Sequence, residues 1–237
     1  MIAIFLYLTI IQISMQSCSI TLIATRHKEN GQCTSNALFH IIEQIAPDVI
    51  FEEVPPSKFD ALYRGLLQDS LETHTIKRYL EKQPISHVPV DADIDEITDT
   101  FTKSDYNVMV NIFGRDSSEY RNLYGQRQLI AYEKGFAYLN SNDWTLLSKR
   151  LDMLEEQIIK RFDNEELTQR YNAWLNILDL RDNEMISNIY KYVNANKCEN
   201  GLFLVGVEHR RQIIDKIQEF EIKHHSKLDW NFDYFKR

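Results

Sequence analysis

The chain has 237 residues, 43% hydrophobic and 26% charged, with only 7 Gly and 5 Pro, a composition that supports one sizeable core and no long disordered tract. Its formal net charge is −8, and no block of lysine or arginine offsets that balance, so a duplex nucleic acid is not an expected partner. The three cysteines, Cys18, Cys33 and Cys198, are too sparse and odd in number for a disulfide framework and fit a reducing compartment.

The chain opens on MIAIFLYLTIIQIS, an apolar run of the length of a signal-peptide core and too short for a stable membrane span. It lacks the Lys or Arg that normally precedes such a core, and MQSC fits a small-residue cleavage site poorly. Residues 1–17 therefore read as a hydrophobic leader on a chain expected in the cytoplasm, with export as the alternative if the run is a signal peptide. Met15 is a second possible start, giving MQSCSITLIATRH.

SITLIATRH is a short continuous apolar run that ends in His27, the pattern of a buried parallel strand. The loop KENGQCTSN follows. Its Cys33 reads as a small buried residue, with a thiol nucleophile as the sharper alternative. Ser35 or Asn36 can cap a helix over ALFHIIEQIA, with Leu38, Ile41, Ile42 and Ile45 on one face, and Pro47 ends it. A second strand, PDVIFEE, delivers Glu52 and Glu53. These are neighbours, so in extended chain they point to opposite faces and only one can face a site, the other being solvated or paired with an arginine. The double proline of VPPSKF breaks the chain, and Ser57 can cap a helix through KFDALYRGLLQ. The helical SLETHTIKRYLEK leads to a third strand, PISHVPVDAD, which ends in Asp91 and Asp93. These two point the same way, either into a site or as helix caps.

From about Ile94 to Cys198 the apolar spacing is helical throughout and contains no strand. A stretch of that length exceeds a plain crossover helix. Within it, RDNEMISNI presents Arg181, suited to hold a carboxylate or an anionic group with both prongs of its guanidinium. A last strand, GLFLVGVEH, ends in His209, with Gly206 permitting close approach just before the histidine. The helix RRQIIDKIQEFEIK and an aromatic tail, LDWNFDYF, complete the chain. The tail reads as an edge strand or a packed segment.

The expected fold class is α/β: a mostly parallel sheet with flanking helices, and a long helical insertion over 94–198 capping the carboxyl edge of a single domain spanning 1–237. Ligands of open α/β sheets bind outside the carboxyl ends of the strands. That edge would gather His27, Glu52 or Glu53, Asp91, Asp93 and His209. Imidazole and carboxylate together suit a divalent metal such as Mn, Co or Zn, and equally a metal-free site with a histidine base and a glutamate orienter.

The tetrapeptides ATRH and GVEH, the FEE at the second strand end and RDNEM, in this order, resemble the TraB/Tiki group and its ChaN-like and erythromycin-esterase-like relatives. Only these short motifs match, and Ala24 stands where the pattern usually has glycine. The resemblance implies a hydrolase of the TraB/Tiki type acting on a small-molecule or peptide substrate by cleaving a peptide or ester bond. By that match His27, His209 and Glu53 would be metal ligands, and Glu52, Glu53 and Arg181 catalytic. Asp91, Asp93 and Arg26 are expected to bind substrate at the same edge, apart from the resemblance. Its other implications are a metal-independent esterase, in which His27 activates water and a glutamate orients it, and a non-catalytic protein that binds haem or a peptide.

Overall fold

A computed structural model describes residues 18–94 and 103–236. The leader expectation over 1–17 and the junction at 95–102 lie outside the described residues. Five strands form one all-parallel sheet in the order β3-β2-β4-β1-β5. They are β1 (Ser19–Thr25), β2 (Val49–Glu52), β3 (Ser86–Pro89), β4 (Asn200–Gly206) and β5 (Asp229–Asn231). The aromatic tail thus supplies an edge strand. β1 and β4 are buried over almost their whole length because helices cover both faces, and this is why they read as unbroken apolar runs.

On one face, Ile23, Ile50, Leu202 and Leu204 pack against α1 (Ser35–Ile45) and α3 (Leu71–Leu80) through Leu38, Phe39, Ile42 and Ile76. On the other, Ile20, Leu22, Phe51, Phe203 and Val205 meet α8 (Glu165–Ala195) and α9 (Arg210–His224) through Met185, Ile186, Ile189, Ile213 and Ile217. Truncating one such buried aliphatic side chain to alanine costs about 2–5 kcal/mol.

Between β3 and β4 the chain is helical wherever it is described: α4 (Lys103–Asp116), α5 (Ser118–Lys134), α6 (Phe136–Leu139), α7 (Asn142–Phe162) and α8. This segment has a core of its own, built on Phe113, Tyr120, Leu151, Leu154, Ile158, Tyr171 and Ile177. α8, 31 residues long, therefore serves two cores, with Tyr171 and Ile177 in the insertion and Met185 to Tyr190 on the sheet. Arg181 and Asp182 fall where it passes from one to the other. No helix among the described residues is long and apolar enough to cross a membrane.

Local details differ from expectation where backbone groups found other partners. Thr34, not Ser35 or Asn36, caps α1, its side chain accepting from Ala37 N–H. α2 (Pro56–Tyr63) begins on its prolines, and Ser57 gives its N–H to Asp93 instead of capping. Gly135, at φ 62°, separates α5 from α6. Cys18 and Cys198 are joined in a disulfide that the low cysteine count did not suggest, while Cys33 is free and buried.

β5 pairs with β1 only over Ser19 to Thr21, which leaves the outer edge of Ala24 without a strand. The Asn140 side chain fills that place: its carbonyl accepts from Ala24 N–H at 2.8 Å and its amide donates to Ala24 O at 3.0 Å. The insertion is thereby hydrogen-bonded to β1 three residues before His27. Asn140→Leu should lower stability by about 2–3 kcal/mol, because it strands two buried backbone groups; a chemical-denaturation midpoint unchanged from wild type would refute this.

Candidate functional site

The register of the central strands determines what meets at the carboxyl edge. Thr25 pairs with Gly206, so His27 and His209 both follow immediately beyond paired strand ends. Glu52 pairs with Leu204, which brings Glu53 level with the end of β4. There the Glu53 carboxylate is the shared element. Its Oε2 accepts from Gly206 N–H at 2.5 Å, and its Oε1 accepts from Arg181 Nη2 at 2.5 Å. The same Oε1 lies 3.4 Å from His209 Nε2 and 4.0 Å from His27 Nε2.

Each imidazole has a second carboxylate behind it. Asp182 Oδ1 stands 2.6 Å from His209 Nδ1, and Glu72 Oε2 stands 3.6 Å from His27 Nδ1. Glu72 is in turn held by the Thr25 hydroxyl, which donates to Oε1 at 2.6 Å. Arg181 completes the group with a two-pronged bond to Asp91, Nε to Oδ1 at 3.0 Å and Nη2 to Oδ2 at 2.8 Å.

These contacts set the charges. Burial works to raise the Glu53 carboxyl, but His209, His27 and Arg181 together hold it well below the usual carboxylate range. Burial works to lower His209, and the Glu53 and Asp182 carboxylates override it, carrying the imidazole up to about 9. His27 is also raised to about 9, chiefly by Glu72 against the opposing effect of burial, with Glu53 adding to the rise. The two rings differ in access: the His27 side chain is 61% exposed and that of His209 6%. Beside His27 lies a cavity of about 20 Å³ lined by Thr25, Glu52, Glu53, Glu72 and Thr73, room for about one water molecule.

Of the residues singled out in the sequence, His27, His209, Glu53, Arg181 and Asp91 converge. The others do not. Glu52 points to the opposite face, as strand alternation requires. It is buried rather than solvated, accepting the Tyr63 hydroxyl at 2.7 Å and facing His87 Nδ1 at 2.8 Å. Asp93 is exposed and accepts from Ser57 at the start of α2. It does not share the direction of Asp91, because the chain leaves extended geometry after β3. Arg26 turns away from Glu53 to Gln128 and lies 5.9 Å over the Trp144 ring. Burial pushes the Cys33 thiol up to about 11, leaving no thiolate for nucleophilic work.

Two functional neighbours were missed. Asp182 follows Arg181 in RDNEM, and that adjacency was its only signal. Glu72 sits in the first turn of α3, and nothing in its local pattern pointed to His27. Gly206 has a definite steric reason: a Cβ there would stand 3.1 Å from Glu53 Oε2 and 3.3 Å from His27 Nε2.

A shared metal ion does not fit this arrangement. The Glu53 oxygen that faces both imidazoles already holds the Arg181 guanidinium, and its other oxygen holds a backbone N–H. Among the described residues no group of three His, Cys, Asp or Glu side chains is placed to hold one.

No family model matches the chain, and no curated protein matches it. Among solved structures, that of an erythromycin esterase mutant in its open conformation is similar at a TM-score of 0.35 and 12% identity, over 81% of this chain and 61% of that one. The resemblance to the TraB/Tiki group accordingly rests on its four short motifs alone.

Arg181→Leu leaves the Glu53 and Asp91 carboxylates buried without their cation and should cost about 3 kcal/mol or more in chemical denaturation. A loss below about 1 kcal/mol would show that the fork is a surface-like contact. His209 contributes a pH dependence of known sign. Its folded value, about 9, is raised above the ordinary 6.5, so its stabilisation is complete below about 6.5 and disappears as pH rises through about 9. The melting temperature of wild type should therefore fall more steeply between pH 7 and 10 than that of His209→Gln; parallel curves would refute the assignment.

Proposed function

We propose that the chain is a hydrolase that cleaves an ester or peptide bond at the His27–Glu53–His209–Arg181 centre. The observation that carries this reading is the environment of His27. It is an accessible imidazole with Nδ1 backed by the Glu72 carboxylate and Nε2 held 4.0 Å from Glu53, beside a cavity of one water's size. That gap is too wide for a direct hydrogen bond and suits a water between the two groups.

The chemistry follows from this placement. In neutral His27 the Nδ1 proton faces Glu72, which leaves the Nε2 lone pair towards the bridging water. The water loses a proton to Nε2 and its oxygen attacks the carbonyl carbon. The carbonyl π electrons move to oxygen, and Arg181 and His209, whose hydrogen bonds go to Glu53, Asp91 and Asp182, favour the developing negative charge through their positive field. On collapse, His27 returns its proton to the departing alcohol or amine. Glu53 stays ionised throughout and keeps Arg181 and His209 in place. Among the readings that the short motifs imply, this route is the metal-independent, esterase-like one rather than the metal-holding TraB/Tiki one. Asp93 and Arg26 are engaged elsewhere, with Ser57 and Gln128, while Glu52 lines the same small cavity from its Tyr63 and His87 side.

A panel of chromogenic esters and quenched fluorescent peptides, read with and without chelator, tests the reading. Turnover should persist with chelator and fall at least about 100-fold in His27→Gln, the scale of a lost general base. Because His27 acts in its neutral form and His209 in its charged form, kcat/KM should rise with pH to a maximum near 9 and fall beyond it. A rate that vanishes on chelation and returns with Mn, Co or Zn would overturn the water–imidazole route, and an inert panel would overturn the hydrolase itself.

A further inference from the structure

The disulfide between Cys18 and Cys198 spans 180 positions of chain, with its Cα atoms 5.2 Å apart. That separation lies within the range a disulfide bridges without moving backbone. Cys18 immediately precedes β1 and Cys198 lies just ahead of β4, where Ser19 pairs with Asn200. Both cysteines are buried in the core beneath α8 and α9. The bond therefore joins the amino ends of the two strands whose carboxyl ends lead into His27 and His209. Cys33 lies in the core on the opposite face of the sheet, so the folded chain separates it from this pair.

A sparse cysteine count argues against a dense framework of cross-links, but it says nothing against one bond that closes a long loop. The constraint such a bond places on the unfolded chain grows with the loop it closes, and here the loop takes in most of the protein. The parallel pairing of β1 with β4 also joins segments far apart in the chain, a contact that a covalent tie assists.

We propose that Cys18–Cys198 is a native structural disulfide, acquired in an oxidising compartment, that fastens β1 to β4 beneath the two histidines. In its formation one thiol loses its proton and attacks the disulfide of an oxidant, either a thiol–disulfide oxidoreductase or oxidised glutathione. The second thiol, as thiolate, then displaces the mixed disulfide, and the oxidant leaves as its reduced thiol pair, carrying both electrons. The apolar run that ends just before Cys18 has the composition of an export element and would deliver the chain to such a compartment. This inference stands apart from the proposed hydrolysis, because its readouts do not involve turnover.

The test uses the full chain, produced with its own amino-terminal run in a bacterial host with an oxidising periplasm. Thiols are alkylated in denaturant before and after reduction and counted by intact mass. One labelled thiol before reduction and three after, with a peptide linking Cys18 to Cys198, is the expected result. Reductant should lower the melting temperature of wild type by about 10 °C. The Cys18→Ala/Cys198→Ala variant should melt low with and without reductant, and Cys33→Ala should keep the wild-type response. Three labelled thiols before reduction, or a wild-type melting temperature indifferent to reductant, would overturn the proposal.

Discussion

A buried carboxylate with three cationic groups around it is the constraint on which this molecule's carboxyl edge depends. Glu53 would be driven to its neutral form by burial alone; Arg181, His209 and a backbone N–H from Gly206 keep it ionised. The cations in turn need their own counter-charges, and Asp91, Asp182 and Glu72 supply them. Buried charges are tolerated only when paired and hydrogen-bonded, so each member of this group makes the next one possible. The result is a preorganised electrostatic centre whose donors are in place before any reaction begins.

α8 makes that centre possible mechanically. It is rooted at one end in the core of the insertion and at the other in the core under the sheet. Arg181 and Asp182 stand between these two anchorages, where the helix crosses the strand ends. Neighbours on a helix point about 100° apart, so Arg181 can reach Glu53 and Asp91 while Asp182 reaches His209. Lys216 on α9 lies 3.9 Å from the second oxygen of Asp182 and ties the two helices together behind the histidine.

The two histidines are alike in sequence and unlike in place. His209 opens α9 with both ring nitrogens turned to carboxylates in a nearly closed pocket, which favours the charged ring. His27 follows β1 into an open loop and is reached by solvent, with longer distances to both of its carboxylates. A cationic electrophile and an accessible proton acceptor are the roles these two environments suit, and one carboxylate sits between them.

Much of this was legible in the order of residues. Continuous apolar runs ending in His27, Glu53, Asp91 and His209 mark buried parallel strands. Helical spacing from about Ile94 to Cys198 marks the insertion, because burial on one face of a helix imposes a period of 3.6. Strand alternation itself says that only one of Glu52 and Glu53 faces the centre. What the sequence could not decide was which one, since that depends on the register of β2 against β4. Nor could it pair Glu72 with His27 or Asp182 with His209, or separate Asp93 from Asp91, because those outcomes follow from helices and loops packed from distant parts of the chain. The Cys18–Cys198 bond belongs with them: only the alignment of β1 with β4 brings two cysteines at opposite ends of the sequence within bonding distance. Local patterns of burial are written residue by residue, but the meeting of charges across a sheet edge is a property of the tertiary packing.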